Sequence, residues 1–232
     1  MKPADGKTER MATGRSFNTK TAHFMLYRRS RGKQIVEEVL GDDFEGVLSS
    51  DFYAAYNTYC GFHQRCWVHY LRDIHELKEQ YPKDRNLMNW AKQVETIYQE
   101  AKRYPGPDPS LPAGIKEQER IAKQQEFEGR LRNLCLPCVK AETPMNVLAV
   151  RAISYLSEMF VFIRFEDIPS DNNAAERVLR HTVISRKISG GTRSEKGSKT
   201  KAILSSLFGT WKLQNKNPFL QCQFLLAGVS GI

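Results

Sequence analysis

The sequence predicts a mixed α/β fold with a long helical segment in its middle. Between residues 21 and 51 a strand, a helix and a second strand follow one another, which is the order of an α/β unit. Across residues 70–163 apolar side chains recur at helical spacing. The 232 residues are 41% hydrophobic and 10% aromatic, which is enough to bury a core.

Each element predicted between residues 1 and 51 has its own local signal. Residues 1–20 lack a strand or helix period, so we expect a loose basic tail. Residues 21–27 are rich in apolar and aromatic side chains and favour a strand. Residues 34–40 place apolar side chains at helical spacing before a glycine, which favours a helix. Residues 46–50 favour a buried strand that ends at Asp51.

Prolines and glycines separate the remaining elements. Four prolines lie within residues 104–114 and predict a loop between two helices. Residues 164–171 are expected to be extended, since Pro169 disfavours helix at the residue before it. Glycines 190, 191 and 197 mark a basic loop. The predicted helices span 70–80, 86–103, 115–134, 145–162, a segment that starts near Asn173, 199–215 and 218–227.

Positive charge is concentrated in two short segments. The chain has 35 Lys and Arg against 26 Asp and Glu, a formal net charge of +9. Residues 1–34 hold nine cations and two acids, and residues 177–201 hold eight cations and one acid. Clustered cations favour a nucleic-acid partner, because each neutralised phosphate releases counterions. A solvated surface that is simply basic is the alternative.

Several classes of protein are not expected. No segment has the roughly 20 consecutive apolar residues that span a bilayer. Residues 1–20 are polar and basic and lack the apolar region of a secretory signal. The five cysteines, an odd number without such a signal, predict reduced thiols in the cytoplasm.

Two acidic residues are candidates for chemistry. Asp51 ends an apolar strand, where sites form in α/β sheets, and a carboxylate there suits Mg²⁺. A helix N-cap for the segment that begins at Phe52 is the alternative. Glu176 has the spacing of a capping box with Asn173, or it is the second carboxylate of a metal site. Both interpretations of both acids stay open.

Residues 189–200 combine glycines, hydroxyls and cations, which are groups that contact phosphate. The segment is not a Walker A loop, because no Gly-Lys-Ser/Thr follows at the required spacing. A flexible linker is the alternative, although the preceding helix adds further cations. The expected DNA contacts are Arg177, Arg180, Arg186, Lys187, Arg193, Lys196 and Lys199.

Two pairs of side chains could bind zinc. They are Cys66 with His69, and Cys135 with Cys138. The pairs are far apart in the sequence, and buried cysteines are the simpler interpretation. We therefore do not expect zinc, and we leave a zinc-stabilised helical module as an alternative.

Three stretches in this order resemble the IS66 family of bacterial transposases: residues 46–57, residues 63–69, and residues 171–177 with the Gly-Gly-Thr-Arg-Ser loop. The helix over 201–215 with Asn217-Pro218 is similar to the family's C-terminal end. The resemblance implies an RNase H-like core with a large all-helical insertion. It also implies a DDE triad, in which Asp51 is the second acid and Glu176 the third.

The resemblance implies Mg²⁺ (or Mn²⁺) as the cofactor and DNA as the partner, in the bacterial cytoplasm. A homo-oligomer or a full-length transposase are further possible partners. In the family the first acid lies in an Asp-Glu-Thr/Ser-Gly motif on an earlier strand. This sequence has no such motif, and Asp5 and Glu9 follow no apolar strand. We therefore expect an incomplete core that lacks its first strand, and a truncated and impaired enzyme.

The expected organisation has four parts. They are a tail at 1–20, the first part of the core at 21–69, the helical insertion at 70–163, and the second part of the core at 164–232. Cys66 and His69 match an element that follows the second acid in such enzymes, and we expect its role to be structural. A non-catalytic fragment that binds DNA or a transposase is the alternative function.

Overall fold

The computed structural model describes residues 13–28, 32–41, 44–189, 191–192 and 194–228. The strands are β1 (Thr13–Asn18), β2 (His23–Arg28), β3 (Leu48–Ser50) and β4 (His63–Arg65). The first helices are α1 (Gln34–Leu40), α2 (Trp67–Gln80), α3 (Arg85–Lys102), α4 (Ala113–Cys135) and α5 (Asn146–Ser154). The later helices are α6 (Leu156–Met159), α7 (Val161–Arg164), α8 (Asn173–Ser189), α9 (Glu195–Leu213) and α10 (Pro218–Leu226). The predicted α/β class is therefore confirmed.

Packing divides the chain into two compact units. The hairpin unit consists of residues 1–32 and 173–232, and the helical unit consists of residues 33–172. The predicted part boundaries at residues 20, 69 and 163 stay predictions. Within the described ranges, no helix has both the length and the apolar character needed to cross a membrane.

The hairpin unit is built on an antiparallel pair of strands. β1 pairs with β2 from Thr13 opposite Arg28 to Asn18 opposite His23, and α8 packs on β1 while α9 packs on β2. The expectation of a loose tail over residues 1–20 is therefore wrong for β1, because pairing with β2 orders a segment whose own pattern gives no strand signal. Residues 1–12 lie outside the described part of the chain.

Side chains of α9 cover the outer edge of β2. Thr210 Oγ1 accepts a hydrogen bond from His23 N (3.0 Å) and donates to His23 O (3.1 Å). Ser206 Oγ accepts from Met25 N at 2.9 Å. The helix thus occupies the place where a further strand would pair, which protects an otherwise open sheet edge.

The helical unit combines a parallel strand pair with a core made by α2 to α7. β3 pairs with β4 from Leu48 opposite His63 to Ser50 opposite Arg65. The core contains a cluster of aromatic side chains: the Trp67 ring lies 4.7 Å from that of Tyr98 and 5.2 Å from that of Phe160, measured between centroids.

The predicted helices are largely confirmed. Those at 34–40, 70–80, 86–103, 115–134 and 218–227, and the start near Asn173, agree with the structure to within three residues. α9 begins at Glu195, earlier than predicted, because Ser194 Oγ caps it by accepting from Gly197 N at 3.1 Å. Gly197 is thus helical, and the predicted basic loop is shorter.

The single helix predicted over 145–162 is wrong, because α5, α6 and α7 are separated at Tyr155 and Phe160. At the second break, Met159 O accepts hydrogen bonds from Trp67 Nε1 (2.5 Å) and Gln64 Nε2 (3.0 Å). Gln64 Oε1 in turn accepts from Phe162 N at 2.8 Å. Buried side chains therefore satisfy the backbone groups that a continuous helix would pair.

Candidate functional site

Asp51 follows the last residue of β3. The strand end is held by Cys66 N, which donates to Ser50 O at 2.8 Å. Asp51 is partly exposed, and its Oδ1 accepts a hydrogen bond from Tyr53 N at 3.0 Å. One carboxylate oxygen therefore closes a local turn. The alternative of a helix N-cap before Phe52 is wrong, because the short helix that follows spans Ala54–Tyr56 and has Tyr53 as its N-cap, without a side-chain hydrogen bond. Oδ2 is the atom that could hold a cation.

A buried polar network lies beneath Asp51. Asp51 O accepts from Arg65 Nη1 at 2.9 Å and lies 2.8 Å from Ser50 Oγ. Ser50 Oγ is also 2.7 Å from His63 Nε2, and His63 Nδ1 faces Glu158 Oε2 at 3.1 Å. Burial and the positive charge of Arg65 lower the pKa of His63 to about 3, so the ring is neutral at pH 7.

Ser50, His63 and Glu158 contact one another as the serine, histidine and acid of a serine hydrolase triad do. A nucleophilic serine must reach its substrate. Here Ser50 is 3% exposed and His63 4% exposed, so both lie below the surface. The three residues therefore support the end of β3, and hydrolysis by Ser50 is not a function that this geometry favours.

Glu176 lies in the first turn of α8 and is partly buried. Because a helix has 3.6 residues per turn, Arg180 and Lys187 fall on the same stripe as Glu176, about 6 and 17 Å further along the axis. Both cations are exposed, as is Arg177. Asp51 belongs to the helical unit and Glu176 to the hairpin unit, so their pairing in one site stays a prediction.

The remaining predicted DNA contacts lie at the start of α9. Lys196 and Lys199 are exposed in its first two turns. Thr192 Oγ1 and Ser198 Oγ lie 2.6 Å apart and tie the loop to the helix. Three positions of the predicted DNA contacts and the basic loop lie outside the described residues: the side chain of Arg186, Gly190 and Arg193.

Cys66 connects the start of α2 to the segment before α8, and His69 is a hydrogen-bond partner of Cys66. The thiol of Cys66 is buried and accepts from Asn172 N at 3.2 Å, while Trp67 N donates to Ser170 O at 3.0 Å. Burial raises the pKa of Cys66, but hydrogen bonds from His69 and Asn172 outweigh it, so the pKa lies below its usual value. These contacts favour a structural role.

The two candidate zinc pairs lie in different surroundings. Cys135 is fully buried, and burial raises the pKa of its thiol to about 12. Cys138 is only partly buried. In the part of the chain that the structure describes, no three or more His, Cys, Asp or Glu side chains are grouped so that they could hold a metal ion.

Comparison with known proteins gives one match. A sequence model described as the transposase IS66 family matches residues 4–200, which is more than half of the chain and includes both candidate acids. No curated protein and no solved structure matches the chain. The chain therefore belongs to the IS66 family of transposases.

Proposed function

We propose that this chain is a DDE-type transposase that cleaves and joins DNA with the help of Mg²⁺ or Mn²⁺, in the bacterial cytoplasm, and that its activity is impaired because the motif of the first acid is not recognisable in the sequence. Its family supports a transposase, and transposases act on DNA. The observation that carries the proposal is the position of Asp51: a partly exposed carboxylate at the carboxyl end of a strand, above a buried polar network. Glu176 is the proposed second carboxylate.

We also propose that the strands belong to an RNase H-like core. The antiparallel pair β1–β2 followed by the parallel pair β3–β4 supports this proposal. The resemblance implies helices inserted between the second and third acids. The helices α2 to α7 lie between Asp51 and Glu176 in the chain, which supports the proposal.

The carboxylate chemistry of Asp51 and Glu176 fits a hard divalent cation, and these two residues would hold it. Such a cation polarises the scissile phosphate and stabilises the charge that develops during phosphoryl transfer. Arg180 and Lys187 would bind neighbouring phosphates and orient the strand.

The proposed reaction has two steps of the same kind. In the first, the oxygen of water forms a bond to phosphorus while the bond from phosphorus to the 3′ oxygen breaks, which leaves a 3′-hydroxyl. In the second, the oxygen of that 3′-hydroxyl forms a bond to the phosphorus of a target phosphodiester, while the bond from that phosphorus to the 3′ oxygen of the target strand breaks. In each step the attacking oxygen gives up a proton and the leaving 3′ oxygen takes one up. The cations of α8 and α9 would keep both DNA strands in place during transfer.

The test is strand cleavage of DNA that carries the transposon ends, with Mg²⁺ present. We expect Asp51→Asn and Glu176→Gln each to reduce cleavage by more than about 100-fold, since each removes charge that stabilises the transition state. Asp167→Asn is the control for Asp51, and Glu195→Gln, in the first turn of α9, is the control for Glu176. Cleavage that is equal in all four variants would contradict the assignment.

A second candidate is a non-catalytic protein that binds DNA or another copy of a transposase. The observation that favours it is the exposure of five cations on α8 and α9, which can bind phosphate without any carboxylate. In that case the wild-type chain binds the DNA without cleaving it, and Asp51→Asn leaves its affinity unchanged.

A further inference from the structure

Arg65 buries its positive charge at the end of β4. Its side chain is 0% exposed, and its Nε donates to Glu158 Oε2 at 2.6 Å. Nη2 donates to Asn57 Oδ1 at 2.6 Å, and Nη1 donates to Asp51 O at 2.9 Å. The Tyr155 ring centroid lies 4.4 Å from Cζ. A guanidinium that has lost its water needs such partners, and here they meet it from three directions.

These contacts hold both ends of the segment from Asp51 to Asn57 against the guanidinium. Both ends of the segment are hydrogen-bonded to Arg65. Asn57 is held further by its Nδ2, which donates to Tyr155 Oη at 3.0 Å. The backbone that carries the Asp51 carboxylate is thus fixed by one buried cation.

The counter-charge comes from the helices that lie between the two candidate acids in the chain. Glu158 is on α6, 93 positions after Arg65, and its side chain is 29% exposed. A buried ion pair is weak evidence for stability, because an apolar replacement is often as stable. The placement of this pair against Asp51 O therefore points to a role in positioning.

We propose that Arg65 is a positioning residue that holds the Asp51 carboxylate ready for a divalent cation, with Glu158 and Asn57 holding the guanidinium in turn. This inference rests on the proposed function of Asp51 as a cation ligand. Lysine cannot replace Arg65 in this role, because an ammonium group lacks the planar fork that reaches three partners at once.

The test measures binding of Mn²⁺ to the full chain by electron paramagnetic resonance of the free ion. Arg65→Lys keeps the charge and loses the fork. Asn57→Ala removes the contacts of the Asn57 side chain with Arg65 and with Tyr155, and because Asn57 is exposed this variant should fold. We expect both to weaken Mn²⁺ binding by about tenfold or more, as is usual for groups that orient a ligand. Thr58→Ala is the matched control, since its hydroxyl donates only locally, to Ala55 O.

Urea unfolding of the same variants separates positioning from stability alone. If the ion pair were only structural, the variants would be less stable, but their folded form would bind Mn²⁺ with the affinity of the wild type. That result would overturn the inference. Asp51→Asn separates the inference from the proposed function. If this variant binds Mn²⁺ as the wild type does, the proposed function fails. If it loses binding while Arg65→Lys and Asn57→Ala retain it, only the positioning inference fails.

Discussion

His63 stays neutral inside the helical unit, because burial and the neighbouring charge of Arg65 both oppose a further positive charge. The carboxylate of Glu158 faces Nδ1 at 3.1 Å, but Glu158 is also the partner of Arg65 Nε at 2.6 Å. The pKa of His63 therefore falls to about 3 from its ordinary value of 6.5. A residue that supports the end of β3 thus couples the stability of the fold to pH.

We expect acid to destabilise the protein through His63. Between about pH 6.5 and 3 the unfolded chain binds a proton that the folded chain does not, so the free energy of unfolding falls by about 1.4 kcal/mol for each unit by which the pH is lowered. Above pH 6.5 His63 causes no loss of stability, and below about pH 3 its contribution to the loss no longer grows. Urea unfolding at pH 7 and pH 4.5 should show that the wild type loses about 2–3 kcal/mol more than His63→Gln.

His75→Gln is the control for this measurement. His75 is on α2, with a side chain 68% exposed, so His75→Gln shows the effect of losing a histidine that is not buried. If His63→Gln and the wild type lost the same stability between the two pH values, the neutral state of His63 would be disproved.

Asp51 could be anticipated from sequence, whereas the residues beneath it could not. An apolar run followed by an acid is a local pattern, and it marks the end of β3. The neighbouring strand β4 reads His63, Gln64, Arg65, which is polar throughout although all three side chains are buried. Their partners include Glu158 and Met159 O, which lie more than 90 positions away, and no local pattern reports such a partner.

At the scale of elements, the sequence predicts most helices and misses what depends on neighbours. β1 has no strand pattern of its own and is ordered by pairing with β2. The break between α6 and α7 follows from side chains of β4 and α2 that bind Met159 O. Helical spacing shows where apolar faces lie, but it does not show where another element will take over a backbone hydrogen bond.

The contact between α9 and β2 depends on a glycine. Gly209 has no side chain, and a Cβ at this position would overlap the ring of His23. That ring is 3% exposed and hydrogen-bonded to Asn18 and Ser16, so it cannot move aside freely. The missing Cβ therefore allows α9 to lie close enough for Ser206 and Thr210 to reach the strand.

We expect Gly209→Ala to destabilise the hairpin unit. Inside a helix this change usually increases stability by about 1 kcal/mol. Overlap with His23 should outweigh that gain, as overpacking typically costs about 1–3 kcal/mol. Hydrogen exchange of the Met25 and Leu26 amides measures the effect. Gly129→Ala is the control, because a Cβ there meets nothing within 4 Å, and it should stabilise α4. Slower exchange in Gly209→Ala would contradict the expectation.

At the scale of the whole molecule, the two units differ in charge. The hairpin unit holds 18 Lys and Arg against 4 Asp and Glu, and the helical unit holds 17 against 22. The basic excess of the chain thus belongs to the unit that carries Glu176. A polyanion such as DNA should bind that unit, and the acidic excess of the other unit should disfavour binding there.

Salt dependence of DNA binding tests this division of charge. Each phosphate contact contributes about 0.9 to the slope of log affinity against log salt concentration. Replacement of four exposed cations of α8 and α9 by glutamine should therefore lower the slope by about 3–4, measured by fluorescence anisotropy with duplex DNA at several salt concentrations. The four are Arg180, Lys187, Lys196 and Lys199.

The control is a second set of four exposed cations, taken from the helical unit and also changed to glutamine: Lys83, Arg85, Lys92 and Lys140. Both sets remove the same total charge, so a general loss of attraction would lower both slopes equally. Contact with phosphate at α8 and α9 instead predicts a large change in the first set and a small change in the second. An equal change in both would mean that DNA is attracted by net charge alone, and α8 and α9 would then not be its binding surface.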